Sequence, residues 1–267
     1  MIKYNMNDIL ATSSKSIRSG FIQCAVSATL DRHVRWALFL TFVCILLIIS
    51  TVAAHASVAY TDDAAKYTDS YAGKTTGLGF GPFIVTAEND KPPFAGTFLG
   101  DASGTEKNSG SPNPGSINTN GHSFGFYANG GPAASVMISR AFKFDMHSPG
   151  DSFSINFVTG FNETGTAGIT LYTNNGSVGN FVFVAGQGFK FDGKPTGIAF
   201  RPGALHLLWT ITATGKLKFT CDGAVSYTGV GAMDGPIIGF KVYATNSGPG
   251  GSDHDGYFNS MNEIVQP

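Results

Sequence analysis

Apolar and polar residues alternate along most of the chain past residue 60. In one such segment, Leu207, Trp209 and Ile211 fall on one face and Thr210 and Thr212 on the other. A period of two is typical of a strand with one buried face. The alternation recurs in residues 152–158, 179–184, 216–221 and 238–243. Turn-forming residues separate these segments, and no sustained helical period interrupts them, so the pattern predicts an all-β protein.

The number and spacing of these segments constrain the architecture further. About a dozen short strands joined by turns are typical of two antiparallel sheets packed face to face. We therefore predict a single β-sandwich domain of the jelly-roll or concanavalin-like kind over residues 60–267. The longest stretch without a periodic pattern, residues 101–118, is predicted to be a surface loop of this domain.

An uncharged apolar run covers residues 36–54, and Arg32 and Arg35 precede it. This arrangement is typical of a secretory signal peptide. We assign residues 1–35 to a basic, disordered cytoplasmic region and residues 36–59 to the signal core and cleavage region. The β-sandwich that follows is therefore expected to be exported, as a secreted or cell-surface domain.

Small residues at 54, 56, 57 and 59 offer two cleavage sites, which would leave Ser57 or Tyr60 as the first residue. The alternative is that the run is not cleaved. An uncharged run of this length also suffices to cross a thin bilayer, and it would then anchor the protein in the membrane. The basic residues stay inside in both cases, so the C-terminal domain is exported in both.

Charge and cysteine content exclude several classes of partner and crosslink. The net charge is −1 and only 13% of the residues are charged, which does not support a nucleic-acid partner. Cys24 and Cys44 precede the cleavage sites, so Cys221 alone remains in the exported domain. No intramolecular disulfide is expected there, and the alternating pattern around Cys221 predicts a small core residue.

Several short motifs of the exported region carry a resemblance to a known family. They include Phe94-Ala-Gly-Thr-Phe-Leu-Gly-Asp101, Arg140-Ala-Phe142 and Asp255-Gly-Tyr-Phe-Asn259. Together they resemble a family of bacterial secreted β-sandwich domains of the concanavalin or jelly-roll kind, whose activity is not agreed. Such domains are common in exported proteins with sorting tails or beside glycan-active modules. The resemblance implies the fold and an extracellular setting.

Motifs of catalysis are missing from the sequence. Glycoside hydrolases need two carboxylates beside the scissile bond, but no Glu-x-Asp-x-x-Glu strand occurs and glutamate is scarce past the signal. There is no Gly-x-Ser-x-Gly elbow either, and the histidines are far apart in sequence. We therefore expect a protein that is not an enzyme, and a glycoside-active enzyme is the less favoured alternative.

Three aromatic residues at strand ends lead into polar loops, a combination that sugar sites use for stacking and for binding hydroxyls. The three candidate pairs are Tyr127 with Asn129, Tyr172 with Asn174, and Tyr243 with Asn246. The alternative for each tyrosine is that its ring packs inward and only its hydroxyl reaches the surface. Binding of an extracellular glycan is the favoured function, and a structural or adhesive surface protein without a small ligand is the alternative.

Two carboxylates lie two residues apart in a glycine-rich loop, at Asp253 and Asp255. Clustered oxygens of this kind suit calcium, with backbone carbonyls completing the shell. Aspartate–glycine pairs are also ordinary turn formers. The sequence therefore predicts a structural calcium site at these two residues, with an ordinary turn as the alternative.

Overall fold

The computed structural model describes residues 56–88, 94–108, 110–111, 113–198, 200, 203–213, 216–222, 225–230, 234–248 and 251–266. These residues contain fifteen strands and one short α-helix. In chain order the strands are β1 (Val58–Asp62), β2 (Ile84–Glu88), β3 (Ala95–Gly100), β4 (Ser123–Ala128), β5 (Ser135–Met146), β6 (Ser152–Val158), β7 (Thr166–Thr173), β8 (Gly176–Val184), β9 (Gly188–Phe191), β10 (Lys194–Pro195), β11 (Leu205–Ala213), β12 (Lys216–Cys221), β13 (Val225–Val230), β14 (Ile237–Thr245) and β15 (Gly256–Val265).

The strands form two antiparallel sheets. The eight-stranded sheet has the order β13-β12-β11-β6-β15-β4-β3, with β1 also paired to β15. The seven-stranded sheet has the order β10-β9-β8-β7-β14-β5-β2. In both sheets, hairpin pairs occur together with pairs of strands that are distant in sequence, such as β6 with β15 and β7 with β14, as expected for a sandwich with Greek-key connections. The predicted all-β sandwich is confirmed.

Aromatic side chains dominate the space between the two sheets. Trp209 is fully buried, and its ring lies 5.0 Å from that of Phe219 and 6.1 Å from that of Phe153. The indole N–H donates to the Gly179 carbonyl oxygen at 2.8 Å, so the polar edge of this ring is satisfied inside the core. Cys221 is buried in the same core, as predicted.

The predicted surface loop at residues 101–118 contains a short helix, α1 (Ser103–Asn108). Its start is stabilised because the Asp101 carboxylate accepts a hydrogen bond from the Ser103 N–H at 2.8 Å. The buried carboxylate of Glu106 accepts from the Gly115 N–H and thereby closes the rest of the loop. These contacts are local to the loop and do not require a periodic pattern of apolar residues. The sequence pattern therefore predicted no helix there.

The sandwich begins inside the predicted cleavage region. In β1, Val58 pairs with Val265 and Ala59 pairs with Ile264. The predicted apolar signal run lies outside the described residues, and its cleavage or retention stays a prediction. Within the described ranges, no helix has the length and apolar content needed to span a membrane.

Candidate functional site

Two of the predicted tyrosines share the outer face of the seven-stranded sheet. Tyr172 on β7 lies opposite Gly239 on β14, and Tyr243 on β14 lies opposite Gly168 on β7. Both tyrosines are half-buried and alternate with fully buried residues, which places them on the side away from the core. Four residue steps separate them along the paired strands, which corresponds to about 13 Å.

Each of these rings lies across a glycine of the neighbouring strand. A Cβ atom on Gly168 would lie 2.8 Å from Tyr243 Oη, and one on Gly239 would lie 2.5 Å from Tyr172 Oη. Only a residue without a side chain permits so close an approach of the ring to the strand. The hydroxyl end of each ring is therefore held against the neighbouring strand.

The Tyr243 hydroxyl on β14 is fixed by a side chain on β8, on the far side of β7. It donates to Asn180 Oδ1 on β8 at 2.8 Å, and burial raises the pKa of Tyr243, which keeps the hydroxyl protonated. The backbone N–H of Asn180 donates in turn to Asp192 Oδ1 at 2.7 Å. Asn180 carries no signal in the sequence, because its position beside Tyr243 depends on the pairing order of three strands.

A lysine lies between the two tyrosines. Lys241 faces outward from β14, opposite Thr170 on β7 and Ser139 on β5. Its Nζ atom lies 5.2 Å from the centroid of the Tyr172 ring, within the range of a cation–π interaction. Tyr172, Lys241 and Tyr243 thus place two aromatic rings and one ammonium group along paired strands, and we call them the tyrosine row.

The asparagines predicted beside these tyrosines occupy turns. Asn174 is exposed in the turn between β7 and β8. Asn246 follows β14 with a φ of 46°, a left-handed conformation that asparagine tolerates. Its N–H donates to the Ala134 carbonyl and its own carbonyl accepts from Thr164 Oγ1. These contacts account for both asparagines as turn formers.

The third predicted pair lies on the other sheet. The Tyr127 ring lies across Gly96 on β3, where an added Cβ would be 2.8 Å from its hydroxyl oxygen. Asn129, just after β4, donates through Nδ2 to Asp255 Oδ1 at 3.4 Å. Burial raises the pKa of Asp255 to about 6. A residue predicted for glycan binding and a residue predicted for calcium therefore meet at one end of the sandwich.

The two predicted calcium ligands have different partners. Asp253 Oδ1 lies 3.1 Å from His254 Nδ1, whereas Asp255 contacts Asn129. Calcium takes six to eight oxygen ligands, and in the described part of the chain no three His, Cys, Asp or Glu side chains are arranged to hold a metal. Calcium binding stays a prediction, and these two carboxylates do not by themselves form a shell.

Comparisons with known proteins give similarity in structure alone. No family model and no curated protein matches the chain in sequence, so the resemblance to a bacterial secreted family stays a prediction. A sialidase matches with a TM-score of 0.47 and 12% identity, over 79% of this chain and 18% of the sialidase. An alginate lyase from Corynebacterium sp. matches with a TM-score of 0.39 and 15% identity, over 56% of this chain and 79% of the lyase. The Crh5 transglycosylase in complex with NAG matches with a TM-score of 0.39 and 14% identity, over 69% of this chain and 89% of the transglycosylase.

One prediction is corrected by these comparisons. We expected from the missing hydrolase motifs that the chain is not an enzyme, and that prediction is contradicted. The matched structures carry the names of a sialidase, a lyase and a transglycosylase. The short motifs that we searched for belong to particular hydrolase families, so their absence does not argue against catalysis on a sandwich of this kind.

Proposed function

We propose that the chain is an exported protein that binds an extracellular glycan across the outer face of the seven-stranded sheet. The observation that carries the proposal is the tyrosine row, in which two half-buried tyrosine rings and one ammonium group lie along paired strands. The C–H groups of a sugar pack on an aromatic face, and its hydroxyls accept or donate hydrogen bonds at fixed polar groups.

The spacing of the row favours a chain of sugars over a single sugar. About 13 Å separates the two tyrosines along the strands, and this distance exceeds the width of one pyranose ring. An extended oligosaccharide that lies along β14 would contact both rings, with Lys241 beside its middle unit.

The rigidity of the row supports recognition. Glycines support both rings, and the Tyr243 hydroxyl is held by Asn180. Side chains that are already ordered lose little conformational entropy when a ligand binds, and preorganisation of this kind raises affinity. Strands position the row more firmly than loops would, because both strands lie in the interior of the sheet.

Binding to insoluble polysaccharides tests the proposal. The secreted domain is incubated with a panel of plant, fungal and bacterial cell-wall polysaccharides, and the affinity for any that retain it is measured with soluble fragments. We expect Tyr172→Ala and Tyr243→Ala each to weaken binding roughly tenfold, which corresponds to ~1.4 kcal/mol. Lys241→Met should also weaken binding. Tyr227→Ala, on the other sheet, is the control for the two tyrosine variants, and Lys190→Met, on the same sheet, is the control for Lys241→Met.

Unchanged binding in a folded Tyr172→Ala/Tyr243→Ala variant would overturn the proposed site. Absence of binding to every polysaccharide would overturn the proposed function. The retained polysaccharide is also assayed for new reducing ends and for unsaturated ends. This assay distinguishes a hydrolase or a lyase from a protein that only binds, and both are compatible with the tyrosine row.

A further inference from the structure

A group of polar side chains meets at one end of the sandwich, just past the C-terminal end of β14. We call it the end cluster; it contains Asn129, Asn162, Glu163, His254 and Asp255. The residues come from three loops, which follow β4, follow β6 and precede β15. Asn129 Nδ2 lies 3.4 Å from Asp255 Oδ1, and His254 Nε2 lies 3.7 Å from Glu163 Oε1.

Glycines bring these loops into close contact. Gly248 forms a β-bridge with Asn129, and a Cβ on Gly248 would lie 3.2 Å from His254 Nε2. Asn129 and His254 therefore approach the same glycine. Gly160 lies against the other side of the loop, where an added Cβ would be 2.5 Å from the Asp255 carbonyl oxygen. The loops that carry Asn129, His254 and Asp255 are thus packed tightly together, and Asn162 precedes Glu163, which lies beside His254.

The end cluster holds buried polar atoms that the described part of the chain does not satisfy. Asn129 Oδ1, both amide atoms of Asn162 and His254 Nε2 have no hydrogen-bond partner there. The three residues are only 6%, 7% and 7% exposed, respectively. These four atoms are half of the eight such atoms among the described residues. Buried polar groups are nearly always paired, so a concentration of unpaired ones points to a ligand.

The unpaired atoms indicate the chemistry of that ligand. They include acceptors on both asparagines, a donor on Asn162, and a histidine nitrogen that can do either. Hydroxyl groups donate and accept, and so match all of them. The carboxylates of Asp255 and Glu163 within the end cluster, and that of Asp253 next to it in sequence, repel an anionic ligand. Phe161 is 44% exposed and lies edge-to-face with His254, which adds an apolar surface.

We propose that the end cluster binds one neutral sugar residue through its hydroxyl groups. The inference rests on the proposed glycan-binding function and adds a second site with a different task. The tyrosine row runs along a strand and would bind several consecutive units of a glycan chain. The end cluster is closed by three loops and takes a single unit, with Asn129, Asn162 and His254 as the groups that recognise hydroxyls.

Saturation-transfer NMR with single sugars tests this inference. The secreted domain is mixed with millimolar glucose, galactose, mannose or N-acetylglucosamine, and with glucuronate as the acidic match of glucose. We expect at least one neutral sugar to receive saturation, and glucuronate to receive much less than glucose. In Asn162→Ala and in Asn129→Ser the signal should fall at least several-fold, whereas Asn113→Ala, at an exposed asparagine outside the end cluster, should leave it unchanged.

Thermal melting of the same variants separates a ligand site from a structural one. Removing an amide that has no partner in the protein should leave the Tm of Asn162→Ala unchanged or raise it, while sugar binding is lost. A lowered Tm in Asn162→Ala, or sugar binding that survives both variants, overturns the inference. Polysaccharide binding is measured on the same samples. Wild-type protein that retains a polysaccharide but binds no single sugar contradicts the end cluster, and retention of polysaccharide by Tyr172→Ala/Tyr243→Ala contradicts the tyrosine row.

Discussion

At the scale of single residues, an ion pair lies inside the core of the sandwich. Arg140 Nη1 lies 2.5 Å from Asp62 Oδ2, and both side chains are fully buried. The Arg140 guanidinium carbon is 4.0 Å from the centroid of the Phe83 ring, and the Tyr67 hydroxyl donates to the same Asp62 oxygen at 2.7 Å. The charges thus have both an ionic partner and an aromatic environment, which offsets part of their desolvation.

Removing one partner of this pair should be costly. Arg140→Met leaves the Asp62 carboxylate buried without its cation, so we expect the free energy of unfolding to fall by about 3–5 kcal/mol. Asp62→Asn removes the unpaired negative charge. The double variant Arg140→Met/Asp62→Asn should therefore regain much of the free energy of unfolding that Arg140→Met loses. Urea unfolding of the three variants checks this prediction. Equal stability of Arg140→Met and wild type would contradict the role assigned to the pair.

Glu263 should make the stability of the protein depend on pH. Its carboxyl is fully buried without a hydrogen-bond partner among the described residues. Burial, reinforced by the charges of Asp151 and Asp145, raises its pKa from 4.5 to about 8. Between these two values the folded state holds a proton that the unfolded state releases. The stabilisation is complete below the unfolded pKa and is lost as the pH rises through the folded pKa.

We therefore expect stability to fall between pH 5 and pH 8 by up to about 1.4 kcal/mol per pH unit from this group. Glu263→Gln keeps the shape and cannot ionise, so its stability should show a shallower dependence and exceed that of wild type at pH 8. Chemical unfolding across this pH range measures both curves. Parallel curves would show that Glu263 does not titrate in this way.

At the scale of strands, glycines on β7 and β14 determine how the tyrosine row is presented. A Cβ on Gly168 would lie 2.6 Å from the Phe181 carbonyl oxygen and 2.8 Å from Tyr243 Oη. Gly168→Ala must therefore displace the Tyr243 ring and weaken its hydrogen bond to Asn180. We expect a loss of ~1–3 kcal/mol in stability and weaker glycan binding.

The control for this variant is Gly104→Ala. No atom lies within 4 Å of a Cβ added there, and Gly104 is within α1. Alanine favours the helix over glycine by up to ~1 kcal/mol, so stability should stay the same or rise, with glycan binding unchanged. Calorimetry measures the stability of Gly168→Ala and Gly104→Ala, and binding assays measure their affinity for the glycan. Wild-type binding by Gly168→Ala would mean that the Tyr243 ring position does not matter.

The first strand also bears on where the mature chain begins. A protein starting at Ser57 retains the pairs of Val58 with Val265 and Ala59 with Ile264, and one starting at Tyr60 loses both. We expect the shorter protein to be less stable by roughly 1–2 kcal/mol, since each lost hydrogen bond contributes about 1 kcal/mol. Thermal melting of the two proteins measures this difference in stability. The intact mass of the secreted protein shows whether its first residue is Ser57 or Tyr60. Equal Tm values would contradict a structural role for these pairs.

At the scale of the whole molecule, the sequence predicted the layers of the fold but not the assembly of its sites. The alternation around Trp209 predicts a strand with a buried face, and that residue is in the core. Tyr172 and Tyr243 were found as strand residues, but their common face depends on the pairing of β7 with β14 across some seventy residues of sequence. Local patterns do not carry such register information.

Other features escaped sequence analysis for the same physical reason. Asp255 and Asn129 are 126 residues apart and meet only because β15 pairs with β4. The inward charge of Arg140 interrupts the apolar face of β5, and only its contact with Asp62 explains it. Burial of individual polar atoms follows from tertiary packing, and it is these atoms that define the end cluster.

The central claim is that a glycan chain lies along β14 on the outer face of the seven-stranded sheet. Backbone amide NMR during titration with a soluble fragment of the retained polysaccharide tests it most directly. We predict that the largest shift changes fall on β7, β8 and β14, around Lys241 and Tyr243. Changes confined to the outer face of the eight-stranded sheet, around Thr210 and Lys218, would contradict it.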